Sequence, residues 1–361
     1  MDEQNALTGN DSPVRWAIVG TGTIAATFAD DISLAGNARL AAVCSRRLQT
    51  AEAFAARFGG ARCFEDLQSL ANDPGIDIVY LATPNHVHFE QAKLLLESGK
   101  HVLVEKPLTT TAQEAAILFR LARAKNLFLM EALWTLLLPA LAHVRAYLLT
   151  GKLGAIRSVR ANLSYEKPYD PHSKFFNPAM GGGSLLDLGV YPLSIATNLF
   201  GRPRHIAGSW RAAPSGVDMA AQVSLGYDYF FADIACGFDH DGTNQFVISG
   251  EKSSLVIDAP FLKAQRILSS GSDTVLSWLA PETESPVRRL LAKAARRLPG
   301  AIVYDAPFAG NGLQFEIAAA GDALRRGEHT PALWTASNSS SVLEIIETIK
   351  AQPPLTSPVT A

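Results

Sequence analysis

An acid, an amine and a proline follow one another at the end of a short apolar run, where they could take part in proton transfer. The run at 102–104 predicts a buried strand, and Glu105, Lys106 and Pro107 come directly after it. A solubilising surface ion pair needs neither a strand before it nor a proline behind it to fix the backbone. The pattern therefore favours a lysine that is held in place at a site.

A second group of polar side chains lies in the glycine-rich stretch GGGSLLDLGVYPL, residues 181–193. Asp187 and Tyr191 are four residues apart and share one face if this segment is helical. A carboxylate and a phenol on one buried face need polar partners. Pro192 predicts a kink or a restart of the helix just after Tyr191. The residues alone leave open a simpler role as a capping aspartate and a core tyrosine.

The stretch GTGTIA at 20–25 fits the pattern of a dinucleotide-binding turn. Glycines at these positions let the backbone turn tightly and approach a pyrophosphate at the N-terminus of a helix. The pattern is weak by itself, but it follows the first predicted strand and opens the first predicted helix of a parallel sheet. We expect the cofactor contacts in this turn to come from Gly20, Gly22, Thr23 and Ile24.

The end of the second predicted strand favours NADP(H) over NAD(H). An NAD site usually has an acid about 20 residues past the glycines, which binds the ribose 2′-hydroxyl. This chain has Ser45, Arg46 and Arg47 there instead. A hydroxyl and two guanidiniums suit a 2′-phosphate, which arginine can bind bidentately. The alternative is that both arginines are solvated at the start of a helix.

The third long strand ends in ATPNHVHFEQA, residues 82–92. The carboxyl ends of parallel strands face the ligand crevice, so we expect Thr83, Pro84 and Asn85 to lie along the cofactor. His86 and His88 are two residues apart at a helix start, which points them to different faces, and no carboxylate pairs with them. We therefore expect no metal site, with His86 lining the crevice and His88 on the surface.

Two patterns of secondary structure position these residues. Short apolar runs alternate with helical segments up to about residue 134, which predicts right-handed crossovers and a parallel sheet. After a helix at 140–150, long alternating segments predict an antiparallel sheet with one face solvated or covered by a partner. The predicted strands of the parallel sheet are 14–20, 38–45, 76–83, 101–107 and 127–134, and the last predicted helices are 313–326 and 337–350.

The length of 361 residues exceeds that of a usual single core and indicates two domains. We expect a dinucleotide-binding domain at 12–135, a substrate-binding and oligomerisation domain at 136–350, and flexible tails at 1–11 and 351–361. The formal net charge of −2 gives no sign of a nucleic-acid partner. The cysteines are isolated, and neither a signal-peptide pattern nor an apolar run of about 20 residues occurs, so the expected location is the cytoplasm.

Four motifs in order resemble the glucose–fructose oxidoreductase / inositol dehydrogenase (Gfo/Idh/MocA) family. They are ATPNHVHFEQA, VEKPL, LFLMEALWTLLLPAL and GGGSLLDLGVYPL, and the nearest branch is that of dimeric dihydrodiol and NADP-dependent D-xylose dehydrogenases. The resemblance covers residues 14–203 well and the rest more loosely. It implies an α/β protein with an N-terminal Rossmann doubly wound parallel sheet. It also implies a C-terminal α/β domain whose large, mostly antiparallel open sheet often forms the dimer interface.

The resemblance also implies roles for individual residues. Lys106 corresponds to the family's catalytic lysine, and the bond before Pro107 is commonly cis in the family. Asp187 corresponds to the helix acid and Tyr191 to the acid/base position. Trp134 corresponds to an aromatic wall of the substrate pocket. Lys106, Trp134, Asp187 and Tyr191 are thus expected to contact the substrate.

The activity implied is reversible hydride transfer between NADP(H) and a hydroxyl- or carbonyl-bearing carbon of a sugar, polyol or dihydrodiol. Glu105 and Lys106 are expected beside the cofactor. The family leaves two alternatives open, an NAD-dependent glycosidase and a non-catalytic cofactor-binding regulator. The small-molecule substrate is the expected partner, together with further copies of the chain in a dimer or tetramer formed through the open sheet, and neither nucleic acid nor a membrane span is expected.

Two features depart from the family pattern. Leu136 stands where the branch commonly has arginine, which leaves the substrate open. The stretch from about 277 to 309 is longer than the family leads us to expect, and VRRLLAKAARRL at 287–298 is a basic amphipathic helix pattern. Such a helix can bind a membrane surface or a partner, and the simpler alternatives are a solvated helix or an insertion at the edge of an oligomer.

Overall fold

The computed structural model of the chain describes residues 12–279 and 286–355. Its strands are β1 (Val14–Val19), β2 (Ala38–Cys44), β3 (Arg62–Phe64), β4 (Ile78–Leu81), β5 (His101–Glu105), β6 (Leu129–Ala132), β7 (Ile156–Ser164), β8 (His205–Ala212), β9 (Asp218–Gly226), β10 (Phe231–Gly237), β11 (Phe246–Gly250), β12 (Ser254–Ile257), β13 (Arg266–Ser270) and β14 (Ile302–Asp305). Its α-helices are α1 (Thr23–Ile32), α2 (Leu48–Arg57), α3 (Leu67–Ala71), α4 (His88–Glu97), α5 (Ala112–Ala124), α6 (Pro139–Leu149), α7 (Val190–Phe200), α8 (Asp273–Leu279), α9 (Pro286–Ala295), α10 (Gln314–Arg325) and α11 (Ala336–Lys350).

The chain divides into two compact units. The first contains residues up to 134, then 177–182 and 310–347, and the second contains the intervening segments and the residues after 347. The sequence pattern alone divides the chain once, at 135/136, whereas the contacts also assign the two later segments to the first unit.

The first unit contains a six-stranded sheet in the order β3-β2-β1-β4-β5-β6, in which all neighbours are parallel. Strands β4 and β6 are buried at every residue, and β5 at all but its first, because helices cover both faces of a parallel sheet. This is the predicted doubly wound sheet. Strand β3 was not predicted, because three residues at the edge of the sheet produce no apolar run.

The second unit contains an eight-stranded sheet in the order β14-β13-β12-β11-β7-β10-β9-β8. Its pairs are antiparallel except for β7 and β10, which run parallel, so the predicted mostly antiparallel sheet is confirmed. Tyr147 of α6 contacts Ser269 on one face, while α8 and α9 pack on Leu268 and Val256 of the other face. Successive side chains of a strand point to opposite faces, so these helices lie on opposite sides of the sheet.

Helix α10 is fixed to α1 within the first unit. The carboxylate of Asp31 accepts hydrogen bonds from the backbone N–H groups of Asn311 and Leu313 at 2.9–3.0 Å. These groups precede Gln314, the first residue of α10, so the acid fixes the segment that leads into the helix. No helix in residues 12–279 or 286–355 has both the length and the apolar character needed to cross a membrane.

Candidate active site

The glycine turn after β1 leaves space in front of helix α1. Gly20 has φ +106°, and a Cβ there would lie 2.4 Å from the carbonyl oxygen of Ala82, so only glycine fits between β1 and β4. Gly22 is the N-cap of α1, and within the described residues no side chain caps this end and no atom would lie within 4 Å of a Cβ at Gly22. Packing therefore does not demand glycine at 22, but the free N–H groups of α1 face open space that suits a pyrophosphate.

Two guanidiniums stand at the end of β2. Arg46 and Arg47 are exposed, and neither side chain forms a hydrogen bond or an ion pair with another residue in the described part of the chain. Ser45 is half-buried, and its N–H donates to the carbonyl of Phe64 at 3.1 Å. The backbone at this strand end is thus fixed while the cationic groups remain available to a phosphate.

The loop after β4 is tied down by side-chain hydrogen bonds. The hydroxyl of Thr83 donates to Oε1 of Gln91 at 2.7 Å, and the amide of Asn85 donates to the carbonyl of Gly181 at 3.0 Å. Pro84 is exposed, as is His86 beyond it. The loop therefore presents Pro84 and His86 at its surface on a backbone held from both sides.

His88 is buried, with no exposed surface, so its prediction as a surface residue was wrong. Its Nδ1 lies 2.9 Å from the carbonyl oxygen of Pro107, and its Nε2 lies 2.8 Å from that of Thr83. Burial is the largest cause that lowers the pKa of this imidazole. A neutral ring has only one N–H, so it can donate to only one of these two carbonyl oxygens. His88 is the first residue of α4 and faces the ends of β4 and β5. Its ring therefore lies between the loops that follow these two strands.

Glu105 braces the end of β5. Its buried carboxylate accepts a 2.5 Å hydrogen bond from the hydroxyl of Tyr80 and a 3.2 Å bond from the N–H of Lys106. The peptide bond between Lys106 and Pro107 is cis, as the family resemblance implied. Lys106 is half-buried at the carboxyl end of the sheet.

Glu131 of β6 holds the other side of this turn. Its fully buried carboxylate accepts from the N–H of Leu108 at 3.0 Å, from Nε1 of Trp334 at 3.2 Å and from the hydroxyl of Ser339 at 2.6 Å. Burial raises the pKa of Glu131, while these hydrogen bonds and the charge of Lys106 oppose that shift. Glu131 was not predicted as a site residue, although an acid within an apolar strand is a signal that it needs buried partners.

Trp134 follows β6 and is the last residue of this segment of the first unit. Its indole is 8 % exposed. The burial is compatible with the expected pocket wall, which stays a prediction.

Asp187 and Tyr191 lie on one helical segment of the second unit. A wide turn with i→i+5 hydrogen bonding spans Leu185–Gly189 and continues directly into α7. Four residues make about one turn at either helical pitch, so the two side chains share a face. Tyr191 is buried, and the change of pitch comes before it, not after it as Pro192 had suggested.

The start of this segment is anchored by Asp218 of β9. The fully buried carboxylate accepts from the N–H of Leu185 at 2.6 Å and from the hydroxyl of Ser184 at 3.1 Å, and it pairs with Lys350 at 3.1 Å. A Cβ at Gly183 would collide with this carboxylate, which explains one glycine of the GGGS stretch.

A guanidinium reaches the backbone at position 136 although the residue there is leucine. Leu136 is buried, and its carbonyl accepts a 3.0 Å hydrogen bond from Nη1 of Arg145 in α6. The same nitrogen lies 3.4 Å from Oδ1 of Asn198, and burial lowers the pKa of the arginine. Arg145 thus places a cationic group near the position at which the family pattern has one.

The first unit brings most of the predicted site residues to the carboxyl end of its parallel sheet. These are Gly20, Gly22, Thr23, Ile24, Ser45, Arg46, Thr83, Pro84, Asn85, His86, Glu105, Lys106 and Trp134, whereas Asp187 and Tyr191 belong to the second unit. Across residues 12–279 and 286–355, no group of three or more His, Cys, Asp or Glu side chains is placed to hold a metal ion. The glycine turn, the free helix N-terminus and the arginines fit a dinucleotide phosphate. Lys106 lies at the same carboxyl end of the sheet.

Comparison with known proteins agrees with this geometry. Residues 14–133 match a family model described as "Oxidoreductase family, NAD-binding Rossmann fold", and residues 141–256 match the "GFO/IDH/MocA C-terminal domain".

Similar proteins include scyllo-inositol 2-dehydrogenase (NADP(+)) of Bacillus subtilis, 36% identical over 68% of this chain and 76% of that protein. Mouse trans-1,2-dihydrobenzene-1,2-diol dehydrogenase is 33% identical over 66% of this chain and 73% of its own length. A 3-ketoreductase from Actinomadura kijaniata, solved with NADP and TDP-benzene, superposes with a TM-score of 0.78 at 26% identity and covers 94% of this chain and 98% of its own. The chain therefore belongs to the Gfo/Idh/MocA family of NAD(P)-dependent oxidoreductases.

Proposed function

We propose that the chain transfers a hydride between NADP(H) and a hydroxyl- or carbonyl-bearing carbon of a sugar, a polyol or a dihydrodiol. The observation that carries this proposal is the arrangement of residues at the carboxyl ends of the strands of the six-stranded sheet. There the uncapped N-terminus of α1 faces open space, and the turn that begins at Lys106 is held by His88 and Glu131. The proposed dinucleotide site and an amine on a fixed turn thus lie at the same end of one sheet.

The preference for NADP(H) rests on the end of β2. The exposed guanidinium of Arg46, next to Ser45, can bind a 2′-phosphate, and the sequence at 43–47 contains no acid for a free 2′-hydroxyl. Two relatives, the inositol dehydrogenase and a D-xylose 1-dehydrogenase of Hypocrea jecorina, carry NADP(+) in their names, which supports this choice.

The bound nicotinamide supplies or accepts the hydride, and the side chains of this protein handle the proton on the substrate oxygen. A phenol has an ordinary pKa of about 10, so Tyr191 needs a cation to act as a base near neutral pH. In the proposed mechanism Lys106 supplies that charge and hydrogen-bonds the substrate oxygen. Asp187 orients Lys106 or the neighbouring hydroxyls of the substrate. The other assignment has Lys106 pass the proton itself.

We infer the substrate class from chemistry that the relatives share. The names of the relatives give a cyclic polyol, an aromatic dihydrodiol and an aldose, all of which carry neighbouring hydroxyl groups. A carboxylate such as Asp187 accepts hydrogen bonds from such hydroxyls, and Trp134 offers an apolar wall. We therefore place vicinal diols of sugar or dihydrodiol type in the site.

We also propose that the chain forms a homo-oligomer through the face of its second sheet on which α8 and α9 pack, over the central strands β7 and β10. This face carries exposed side chains on its central strands, among them Arg160, Phe231 and Asp233. Sedimentation velocity at increasing protein concentration measures the assembly, and a monomer at every concentration would contradict it.

The experiment that tests the function is a panel of aldoses, polyols and dihydrodiols, each offered with NADP+ and with NAD+, followed by absorbance of the reduced cofactor. We expect turnover with at least one vicinal diol and a higher kcat/KM with NADP+. Arg46→Ala should reduce this preference by about tenfold, since one charge-assisted contact is lost. Cofactor binding without any turnover would instead support a regulator. A nicotinamide that co-purifies and never exchanges would support a glycosidase.

A further inference from the structure

Two helices are inserted between β13 and β14 and packed against one face of the second sheet. Leu276 and Leu279 of α8 and Ala295 of α9 join a buried cluster with Val256 of β12 and Leu268 of β13. The helices are therefore fixed to the sheet through one side.

Helix α9 also exposes an apolar stripe beside this buried contact. Val287 is 66 % exposed and Leu290 69 %, and Leu291 and Leu298 are exposed as well. Intervals of three and four residues place Leu290 and Leu291 on the same face of α9 as Val287, and Leu298 follows shortly after the helix ends at Ala295. Among the described residues outside this insertion, large exposed apolar side chains are single or, at Tyr229 and Phe231, form a pair, whereas this segment carries four and Trp278 of α8 is exposed as well. A concentration of this kind marks a surface that binds something.

The segment that carries the stripe is strongly basic in sequence. The segment 287–298 contains five basic residues and no acid, in a chain whose formal net charge is −2. Lys293, Arg296 and Arg297 are exposed, and Arg296 forms an ion pair with Asp305 at 3.5 Å. Arg288 and Arg289 lie in the same helix. The basic character is therefore local to this helix and is not a property of the whole chain.

This charge distinguishes between two occupants. A second copy docked stripe to stripe would bring Lys293 and Arg297 of both copies to the same contact, and like charges at close range repel. A lipid surface with anionic headgroups accepts both components, since the apolar stripe enters the boundary of the acyl chains and the basic side chains meet the headgroups. We propose that α9 binds the protein reversibly to an anionic lipid surface.

Flotation of the full-length protein with vesicles tests this proposal. At low ionic strength we expect the protein to float with vesicles of phosphatidylcholine and phosphatidylserine and to stay behind with phosphatidylcholine alone. Salt at about 1 M, where the Debye length is about 3 Å, should release most of it. Trp278 is the one exposed tryptophan, since Trp16, Trp134, Trp210 and Trp334 are buried. A blue shift of tryptophan emission on adding the anionic vesicles would therefore report on this helix pair.

Three variants separate the parts of the surface. Val287→Ser with Leu290→Gln removes the stripe, and Lys293→Glu with Arg297→Glu reverses two charges. Each pair should weaken vesicle binding by more than about tenfold. Leu149→Gln is the matched control, because Leu149 is 90 % exposed in the same unit but outside the insertion, and it should bind like the wild type.

Two results would overturn the proposal. One is wild-type protein that fails to float with anionic vesicles, or variants that float as well as the wild type. The other is a change of oligomeric state in the Val287→Ser, Leu290→Gln variant by sedimentation velocity without vesicles, which would show that a second copy covers the stripe.

Discussion

Tyr191 is the single residue on which the proposed proton transfer depends most directly. Tyr191→Phe keeps the buried ring and removes only the hydroxyl, so we expect kcat to fall by about 10² or more while cofactor affinity stays near that of the wild type. Initial rates on the best substrate of the panel, together with a fluorescence titration of NADPH, measure the two quantities.

The matched control is Tyr147→Phe in the same unit. Tyr147 is also buried, and its hydroxyl lies 3.2 Å from that of Ser269, away from the proposed chemistry. This variant should lose some stability and little kcat. Near-normal turnover in Tyr191→Phe would remove the phenol from the mechanism and leave Lys106 as the group that passes the proton.

At the scale of elements, the turn after β5 depends on β6 and on the two chain segments that reach Glu131. Glu131→Ala leaves the N–H of Leu108 and the indole N–H of Trp334 without their acceptor in the core. We expect a loss of about 3–5 kcal/mol in the free energy of unfolding, the range typical of a broken buried charged network. Urea denaturation followed by circular dichroism measures it.

Glu131→Gln is the milder companion for the case in which the alanine variant does not fold. The amide keeps one acceptor oxygen but turns an NH2 group toward a donor, so an intermediate loss of stability is expected. Because Leu108 is two residues from Lys106, kcat should fall more than KM rises. Unchanged unfolding in both variants would show that Glu131 does not hold the turn.

Long, strongly periodic elements could be predicted from the sequence, whereas short strands could not. Helix α9 was predicted at 287–298 and lies at Pro286–Ala295, because its amphipathic pattern is strong. Strands β13 and β14 were not predicted, since five and four residues give little periodicity and their partners are distant in sequence. The sheet edge on which α8 packs could therefore not be predicted.

At the scale of the whole molecule, stability should depend on pH through Glu316. This residue of α10 is fully buried, and neither carboxylate oxygen has a hydrogen-bond partner among the described residues. Burial, together with the charges of Glu105 and Asp31, raises the pKa of Glu316 well above its ordinary value. The native state therefore keeps a proton that the unfolded chain releases above about pH 4.5.

The free energy of unfolding falls as the pH rises wherever the native state binds more protons than the unfolded state. Above the ordinary pKa of histidine, about 6.5, buried histidines such as His101, with a pKa lowered to about 4, no longer contribute. Above about pH 6.5, Glu316 therefore lowers the free energy of unfolding by up to about 1.4 kcal/mol for each pH unit, until the pH reaches the pKa of Glu316 in the native state.

Glu316→Gln should therefore be more stable than the wild type at neutral pH and should show a flatter pH dependence. Urea unfolding at several pH values above 6.5 measures this, with Glu97→Gln as the exposed control. A steeper dependence in Glu316→Gln than in the wild type would contradict the assignment.

Local and periodic features of the chain could be predicted from its residues. The glycine turn, the buried strands β1, β2, β4 and β5, and the lysine at a strand end follow from residue types at short spacing, because apolar periodicity and glycine positions act within a few residues. Even the placement of Asp187 and Tyr191 on one helical face needed only their separation of four residues.

Which polar groups are buried together became apparent only from the packing of the fold. His88 was expected at the surface, yet it lies between the carbonyls of Thr83 and Pro107. Glu131 receives hydrogen bonds from residues more than 200 positions later in the chain. Burial and hydrogen bonding depend on the packing of elements that are remote in sequence, so no local pattern contains them. The sequence thus predicted the residues that could do the chemistry, and the packing decided what holds them in place.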